Sequence, residues 1–381
     1  MRRFASKLGA VALCACIGAA LMLGGCSSPS DGSEQNSTTT ADEQTTSHYP
    51  VTVTDHMGRS VEVDGADRIA TLCATGFDRM LVLGAADRVV GNFGTLTDWG
   101  IYCNGGNDVE SLGGGNVAGD PDVETLNALG IDVLYCWQEA VEAGNVTDPD
   151  KADFSAVCAQ LSTGNPTTVD EFKAYLESDM KMYSDVLASD EATARADQWI
   201  DYMNEKLDYV SSRTSTLSDD EIVSVYYARG GKSGDDALNA FLKYSYPDFA
   251  IQIAGGKNVA DEADGESYGE VSAEQVAVWN PEYIFCGRID STDSILSNDA
   301  FAGTDAVRDG KVFLSPSGVM EWDTGSECIL NTLYLAKTLH PDLFADLDMV
   351  KEIQEYYSTF YNTQISEQQA QNILDRMGPE A

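Results

Sequence analysis

Two stretches, DVETLNALGIDVLYC at residues 122–136 and SAEQVAVWNPEYIFC at residues 272–286, align without a gap and decide the fold. In both, an acidic first turn opens a short helical pattern, and a tight turn leads into an apolar run that ends in cysteine. Glu124 aligns with Glu274. A helix that leads into a buried strand is the repeating unit of parallel α/β sheets. The repeat therefore predicts two related α/β lobes.

Patterns on either side of the repeat extend this prediction. Alternating apolar residues on both sides of Gly58 predict a β-hairpin at residues 51–63. One apolar stripe predicts a long helix, since its members lie three or four residues apart: Ala196, Trp199, Met203, Leu207 and Val210. The predicted organisation is an N-terminal α/β lobe at residues 49–188, an interlobe helix at 189–217 and a C-terminal α/β lobe at 218–381, with mainly parallel sheets.

The first residues predict export. Three basic residues precede an uncharged apolar run at residues 8–23, which is shorter than the roughly 20 residues that span a bilayer. With the following Gly24-Gly25-Cys26, residues 1–25 resemble a lipoprotein signal peptide, so we expect Cys26 to be lipidated. An uncleaved anchor is the alternative. The polar tract at residues 26–48 predicts a disordered tether that holds the protein outside the cytoplasm, on the cell membrane.

The charge balance limits the possible partners. Lys and Arg number 23 against 62 Asp and Glu, a formal net charge of -39. Nucleic acids are bound mainly through basic side chains, so we expect no nucleic acid partner. Beyond Cys26 the chain has six cysteines and no CxxC pair, which gives no support for a metal or redox motif. Export permits disulfides among these six, and their pairing stays open.

A set of segments, taken in order, carries a family resemblance. The chain from about residue 49 to 377 resembles the lipoprotein substrate-binding components of ABC importers for iron complexes and cobalamin, which have the Fe/B12 (class III) periplasmic-binding fold. The segments that carry it are VTVTDHMGRSVEV, RIATLCATGFDRMLVLGAADRVVG, PDVETLNALGIDVL, AGGKNVAD, VSAEQVAVWNPEYIF, VRDGKVFLSP and AKTLHPDLF.

The resemblance implies a fold and a role. It implies two lobes bridged by a rigid helix, with a ligand cleft between them and little closure. It also implies a monomer without an intrinsic cofactor that carries a metal chelate, such as a ferric siderophore, haem or cobalamin, to an ABC permease dimer with its cytoplasmic ATPase. By motif, Glu124 and Glu274 are the residues that dock on the permease. The alternative for both is a helix first turn, where a carboxylate favours the helix dipole.

Candidate ligand residues follow the predicted strands, because ligands of open α/β sheets lie beyond the carboxyl ends of the strands. Aromatic faces stack on flat conjugated ligands, and guanidinium groups pair with anionic oxygens. Whether any side chain ligates a metal stays open, as does the possibility that each is only core or surface. The predicted cleft residues are Phe77, Trp137, Tyr227, Arg229, Tyr268, Arg288 and Trp322.

Three other classes of protein are weighed against the receptor. An enzyme lacks support, because the chain has three histidines, no GxSxG elbow and no complete phosphate-binding loop around Gly231-Lys232-Ser233. A receptor for a bare transition metal ion is disfavoured by the same shortage of histidine. A cell-surface adhesin or structural lipoprotein with no transported ligand remains the alternative.

Overall fold

The computed structural model describes residues 48–114, 121–162, 164–231 and 236–381. The signal peptide at residues 1–25, Cys26 and all of the tether except His48 lie outside the described residues, so the predictions made for them stay predictions. In these described ranges, no helix is long and apolar enough to cross a membrane.

The described chain opens with the predicted hairpin. Strand β1 (Val51–Thr54) pairs antiparallel with β2 (Ser60–Val63). Gly58 has a φ of 74° in the connecting turn, a conformation that glycine adopts without a steric cost.

The N-terminal lobe contains a four-stranded parallel sheet in the order β4-β3-β5-β6. Its strands are β3 (Ile69–Thr71), β4 (Val89–Asn92), β5 (Val133–Trp137) and β6 (Ser155–Gln160). Its helices are α1 (Gly76–Val82), α2 (Asp98–Cys103), α3 (Val123–Leu129) and α4 (Gln138–Ala143).

Two long helices follow, α5 (Val169–Leu187) and α6 (Asp190–Thr214). Ser189 begins α6, because its hydroxyl accepts a hydrogen bond from the amide of Ala192. All five residues of the predicted apolar stripe on α6 are buried. The sequence pattern therefore predicted both this helix and the face that it buries.

The C-terminal lobe contains a six-stranded mixed sheet in the order β10-β8-β7-β11-β12, with β9 paired to β7. Strands β9, β7, β11 and β12 are parallel, whereas β8 and β10 run antiparallel to their neighbours. The strands are β7 (Val223–Gly230), β8 (Asn239–Phe241), β9 (Gly256–Asn258), β10 (Tyr268–Glu270), β11 (Tyr283–Arg288) and β12 (Val312–Leu314). The helices are α7 (Tyr246–Ile253), α8 (Ala273–Trp279), α9 (Asp293–Leu296), α10 (Asp305–Arg308), α11 (Cys328–Leu339), α12 (Met349–Phe360) and α13 (Glu367–Leu374).

The sequence repeat is a structural repeat. Helices α3 and α8 have seven residues each, and their N-caps are the aligned residues Asp122 and Ser272. Both helices end in the left-handed conformation, at Gly130 and Asn280, which turns the chain into β5 and β11. Each of these strands lies between two parallel neighbours in its sheet. The fold is thus two α/β lobes with mainly parallel sheets, as the repeat predicted.

Hydrogen bonds join the lobes directly. The hydroxyl of Thr97 donates to the carbonyls of Gly318 and Val319 at 3.1 and 2.9 Å. The indole of Trp99 donates to the carbonyl of Met377 at 2.9 Å. The last residues of the chain therefore contact the N-terminal lobe, and the exact lobe boundaries at 49–188, 189–217 and 218–381 stay a prediction.

Candidate ligand cleft

A cavity of about 180 Å³ lies between the lobes, at the carboxyl ends of β3, β4 and β11. This is the position that open α/β sheets use for ligands. The N-terminal lobe contributes Ala74, Phe77, Asp78, Asn92, Phe93 and residues 95–97. The C-terminal lobe contributes Arg288, residues 319–321 and Thr324.

A buried charge network supports the N-terminal wall. Asp78 accepts hydrogen bonds from Arg79 at 2.9 Å, from the amide and hydroxyl of Ser326 at 2.7 and 2.5 Å, and from the hydroxyl of Tyr361 at 2.6 Å. Arg79 also donates to Asp179 at 2.7 Å. Burial alone raises the pKa of Asp179, but the charge of Arg79 and the contact with His56 hold that pKa below its usual value.

Two ion pairs support the C-terminal wall. Arg288 donates through Nε and Nη2 to Asp323, at 3.0 and 2.7 Å. Arg376 makes a two-bond pair with Glu321, at 2.8 and 2.9 Å. Asp323 is fully buried, whereas the side chain of Arg288 keeps 33% of its surface exposed. The carboxylate therefore fixes the guanidinium in position through Nε and Nη2, and its Nη1 has no hydrogen bond to any described residue.

The structure brings two of the predicted cleft residues together. Phe77 and Arg288 both line the cavity, from opposite lobes. Trp137, at the end of β5, is half-buried and donates its indole N–H to the carbonyl of Leu72 at 2.9 Å. It is not among the residues that line the cavity. Trp137 thus supports the strand ends behind the N-terminal wall.

Arg229 and Tyr268 form a separate pair at the end of β7. The guanidinium carbon of Arg229 lies 4.2 Å from the ring centroid of Tyr268, which is 48% exposed. Burial and the nearby charge of Arg288 lower the pKa of Arg229. Its Nε has no hydrogen-bond partner among the described residues. The pair does not line the cavity, but it lies close enough to Arg288 for that charge to lower the pKa of Arg229.

Two of the predicted cleft residues need correction. Tyr227 and Trp322 are both fully buried and belong to the hydrophobic core, so neither presents a surface to a ligand. The hydroxyl of Tyr227 donates to Ser315 at 2.6 Å instead. Successive side chains of a strand point to opposite faces, and a position near the strand end does not say which face a residue takes.

The sequence prediction missed most of the cavity wall. Asp78 follows β3 and Asn92 ends β4, and both are buried. A polar residue that interrupts an apolar run is a sequence signal that could have marked them. Met320 and Glu321 lie in the segment after β12, where the prediction selected the neighbouring Trp322. The sequence pointed to this loop, but Met320 and Glu321 line the cavity there, whereas the aromatic Trp322 is buried.

The predicted docking residues lie away from the cavity. Glu124 and Glu274 occupy the first turns of α3 and α8, and both are exposed. Val278, one turn after Glu274, is 83% exposed, and the aligned residue after Glu124 is the exposed Ala128. The two lobes therefore present equivalent acidic helix ends to solvent.

The cysteines of the described residues are separate thiols. All six cysteines beyond Cys26 are free thiols, and Cys136 and Cys158 are direct neighbours on β5 and β6. Burial raises the pKa of Cys158 to about 11, which keeps it a thiol. In the part of the chain that the structure describes, no three His, Cys, Asp or Glu residues are grouped so that they could hold a metal ion.

Comparisons with known proteins agree with this architecture. A family model described as periplasmic binding protein matches residues 69–318. The molybdate-binding protein MolA of Haemophilus influenzae is 27% identical over 334 residues, which cover 82% of this chain and 91% of that protein. YvrC of Bacillus subtilis, named an uncharacterized ABC transporter substrate-binding lipoprotein, is 24% identical over 337 residues, covering 86% and 96%.

Solved structures share the fold. MolA bound to molybdate superposes with a TM-score of 0.68 at 24% identity, covering 83% of this chain and 99% of that one. A periplasmic solute binding protein from Veillonella parvula gives a TM-score of 0.68 at 20% identity, covering 85% and 96%. The resemblance found in the sequence is thus confirmed. This chain belongs to the periplasmic binding protein family, as an extracytoplasmic substrate-binding component of an ABC importer and not an enzyme.

Proposed function

We propose that the protein is a membrane-tethered receptor for a compact ligand with anionic oxygens, either an oxyanion or a small ferric chelate. The observation that carries this proposal is the cavity of about 180 Å³ with the guanidinium of Arg288 in its wall. Pockets that enclose drug-sized ligands measure roughly 300 to 1,000 Å³. Intact haem and cobalamin are at least that large, so the cavity favours a smaller cargo.

The charges around the cavity support an anionic group on the ligand. Glu321 and Asp323 are each satisfied by an arginine, so neither carboxylate is left to attract a cation. Arg288 keeps a free edge, and no carboxylate among the described residues pairs with Arg229. The relative MolA is named for binding molybdate, an oxyanion of this size class. Of the iron complexes that the sequence predicted, the volume of the cavity favours only small chelates.

The delivery step involves two further proposals. Cys26 anchors the protein to the membrane through a lipid, and residues 26–48 form the tether. Glu124 and Glu274 contact basic residues of the permease dimer, whose ATPase drives import. Their exposure on equivalent helices of the two lobes supports a two-point contact with a two-fold permease. Exposed ion pairs contribute about 0.2 to 1 kcal/mol each, so these pairs set orientation more than affinity.

A titration of soluble residues 48–381 tests the ligand class. The panel is molybdate, sulfate, ferric citrate, a ferric hydroxamate, a ferric catecholate, haem and cobalamin, followed by tryptophan fluorescence and calorimetry. We expect saturable submicromolar binding of molybdate or of a small ferric chelate, and none of haem or cobalamin. In Arg288→Lys, which keeps a cation beside Asp323 but loses the planar fork, we expect binding at least tenfold weaker.

The matched control is Arg308→Lys, since Arg308 is exposed and pairs only with the adjacent turn. Submicromolar binding of haem or cobalamin, with no response to the small ligands, would overturn the compact-ligand proposal. A folded protein that binds nothing in the panel would favour the adhesin alternative.

A further inference from the structure

The C-terminal wall of the cleft is a loop without regular secondary structure. It connects β12 to α11, and residues 319–321 of this loop face the cavity. A loop wall is shaped by whatever holds its main chain, because no sheet or helix ladder fixes it. The groups that bond to this main chain therefore determine the shape of the cleft.

Two buried side chains form hydrogen bonds with the main chain of this loop. Glu327 accepts a hydrogen bond from the amide of Met320 at 2.9 Å, and its other oxygen accepts one from the hydroxyl of Tyr357 at 2.8 Å. The amide of Val319 donates to the same Tyr357 hydroxyl at 3.3 Å. Glu327 and Tyr357 are fully buried. Two successive amides of the cleft wall thus depend on one carboxyl group and its tyrosine.

The loop lies directly on these two side chains. A Cβ atom at Gly318 would overlap the hydroxyl of Tyr357 and the carboxyl of Glu327. On its other side the loop is held by Thr97 of the N-terminal lobe, through the carbonyls of Gly318 and Val319. Any movement of the Glu327 carboxyl must therefore move the wall, since there is no space between them.

We propose that Glu327 is a positioning residue for ligand binding, which sets the shape of the C-terminal cleft wall through the amide of Met320 and the hydroxyl of Tyr357. This inference rests on the proposed function only in that the same cavity binds the ligand. Glu327 itself does not line the cavity, so its effect on a ligand passes through the main chain of residues 318–321.

The protonation state of Glu327 makes this role measurable, because the shape of the wall should then depend on pH. Burial, together with the negative charge of Asp78, raises the pKa of Glu327 to about 8, although the hydrogen bonds from Met320 and Tyr357 oppose the shift. No lysine or arginine contacts Glu327 among the described residues. The titratable groups that face it from the helices packed around it are Asp78, Cys103, Tyr356, Tyr357 and Tyr361.

The direction of the effect follows from that shift. The packed wall favours the neutral carboxyl, so ionisation favours conformations in which the carboxyl reaches water and the loop moves away. The wall should hold its shape most firmly below pH 4.5, the ordinary pKa of a glutamate, and loosen progressively as the pH rises through about 8. Ligand affinity should follow the same course.

Two measurements on residues 48–381 test this role. The first is amide hydrogen exchange of residues 318–324 without ligand, expressed as protection factors at pH 7 and pH 9. The second is calorimetric titration with sodium molybdate over the same range. In the unmodified protein we expect protection to fall and the dissociation constant to rise at least threefold between pH 7 and 9.

The variants separate a positioning role from a structural one. Glu327→Gln keeps the shape and one of the two acceptor atoms but does not ionise, so we expect both pH profiles to become flat. Glu327→Ala removes the acceptors, and we expect weak protection and at least fivefold weaker binding at pH 7, which Glu327→Gln largely restores. Glu355→Gln, an exposed glutamate on α12, is the matched control and should follow the unmodified protein.

Parallel pH profiles for the unmodified protein and Glu327→Gln would overturn the inference. If molybdate does not bind at any pH, the choice of oxyanion in the proposed function fails, and hydrogen exchange alone decides the role of Glu327. The two failures are therefore distinguishable.

Discussion

The two lobes contain the same α/β unit, but the Arg79 cluster of the N-terminal lobe and one set of acids in the C-terminal lobe compensate their carboxyl groups in different ways. In the N-terminal lobe, Asp78 and Asp179 lie on either side of Arg79, and all three are buried. In the C-terminal lobe, Glu327 and Asp248 accept hydrogen bonds, and Asp261 lies beside Asp248. None of the three contacts an arginine or a lysine among the described residues.

The pKa values show what this difference means. The pKa of Asp179 lies below its usual value, because the Arg79 charge outweighs burial. Burial and the Asp248 charge raise the pKa of Asp261 to about 7, and burial raises that of Glu327 to about 8. The Arg79 cluster thus compensates its buried acids with a cation, whereas Glu327 and Asp261 are compensated by protons. Acidity within a fold is therefore a matter of local partners and not of the overall charge of -39.

Removal of the Arg79 cation should have the largest effect on the stability of the protein. Arg79→Met removes the arginine that lies between two buried carboxylates, and we expect the free energy of unfolding to fall by about 3 to 5 kcal/mol. Urea denaturation followed by circular dichroism measures this loss. Arg308→Met, in an exposed pair, is the control and should change stability by less than about 0.5 kcal/mol. Similar losses in the two variants would mean that Arg79 does not compensate the acids.

A substitution at Asp261, which lies beside Asp248, tests how a carboxyl group with a raised pKa affects stability. Its folded pKa of about 7 exceeds the value of 3.8 of a free side chain, so its contribution to stability is fully present below pH 3.8 and is lost as the pH rises through 7. In Asp261→Asn we expect about 1 to 2 kcal/mol more stability at pH 8 than in the unmodified protein, after allowance for solvent screening of a half-exposed group. The gain should vanish near pH 4.

Urea denaturation at a series of pH values measures this difference. The control is Glu262→Gln, the exposed neighbour that pairs with Lys257. A gain that does not depend on pH would show that Asp261 is ionised throughout the range.

The smallest effect should come from the outer faces of the two lobes. Their proposed docking helices differ at aligned positions, where the C-terminal lobe has the exposed Val278 and the N-terminal lobe has Ala128. If the permease covers both helices, Val278 buries apolar surface worth about 0.8 kcal/mol per methylene. Val278→Ala should weaken docking two- to fivefold in proteoliposomes that contain the importer, with ligand binding unchanged. Leu296→Ala, exposed elsewhere, should have no effect, and equal losses in both variants would argue against a contact at Val278.

Local patterns in the sequence were sufficient for the elements of the fold. The hairpin at residues 51–63 and the buried face of α6 were predicted, because apolar spacing and turn residues are local properties. The cavity wall was not, since its contacts join distant parts of the chain. Asp78 meets Ser326 and Tyr361 across 248 and 283 residues, and no local pattern encodes such pairs.

The misplaced residues follow the same rule. Tyr227 lies on a strand that is buried on both faces, and such a strand has no alternation from which a face could be read. Phe77 and Arg288 line the cavity, whereas Arg229 does not, so neither a charge nor an aromatic ring near a strand end was a sufficient guide to the cavity wall. Their role in ligand binding stays a prediction.

The hydrogen bonds of Asp78 also have a consequence for the order in which the molecule folds. Strands and helices of the N-terminal lobe can pair as soon as they leave the ribosome or the translocation channel, because their partners are close in sequence. The carboxylate of Asp78 nevertheless waits for Ser326 and Tyr361, which arrive with the last helices. The hydrogen bond from Tyr361 to Asp78 therefore cannot form before α12 has been made, and a chain that stops before α12 would contain the strands of both sheets but lack this support of the cleft wall.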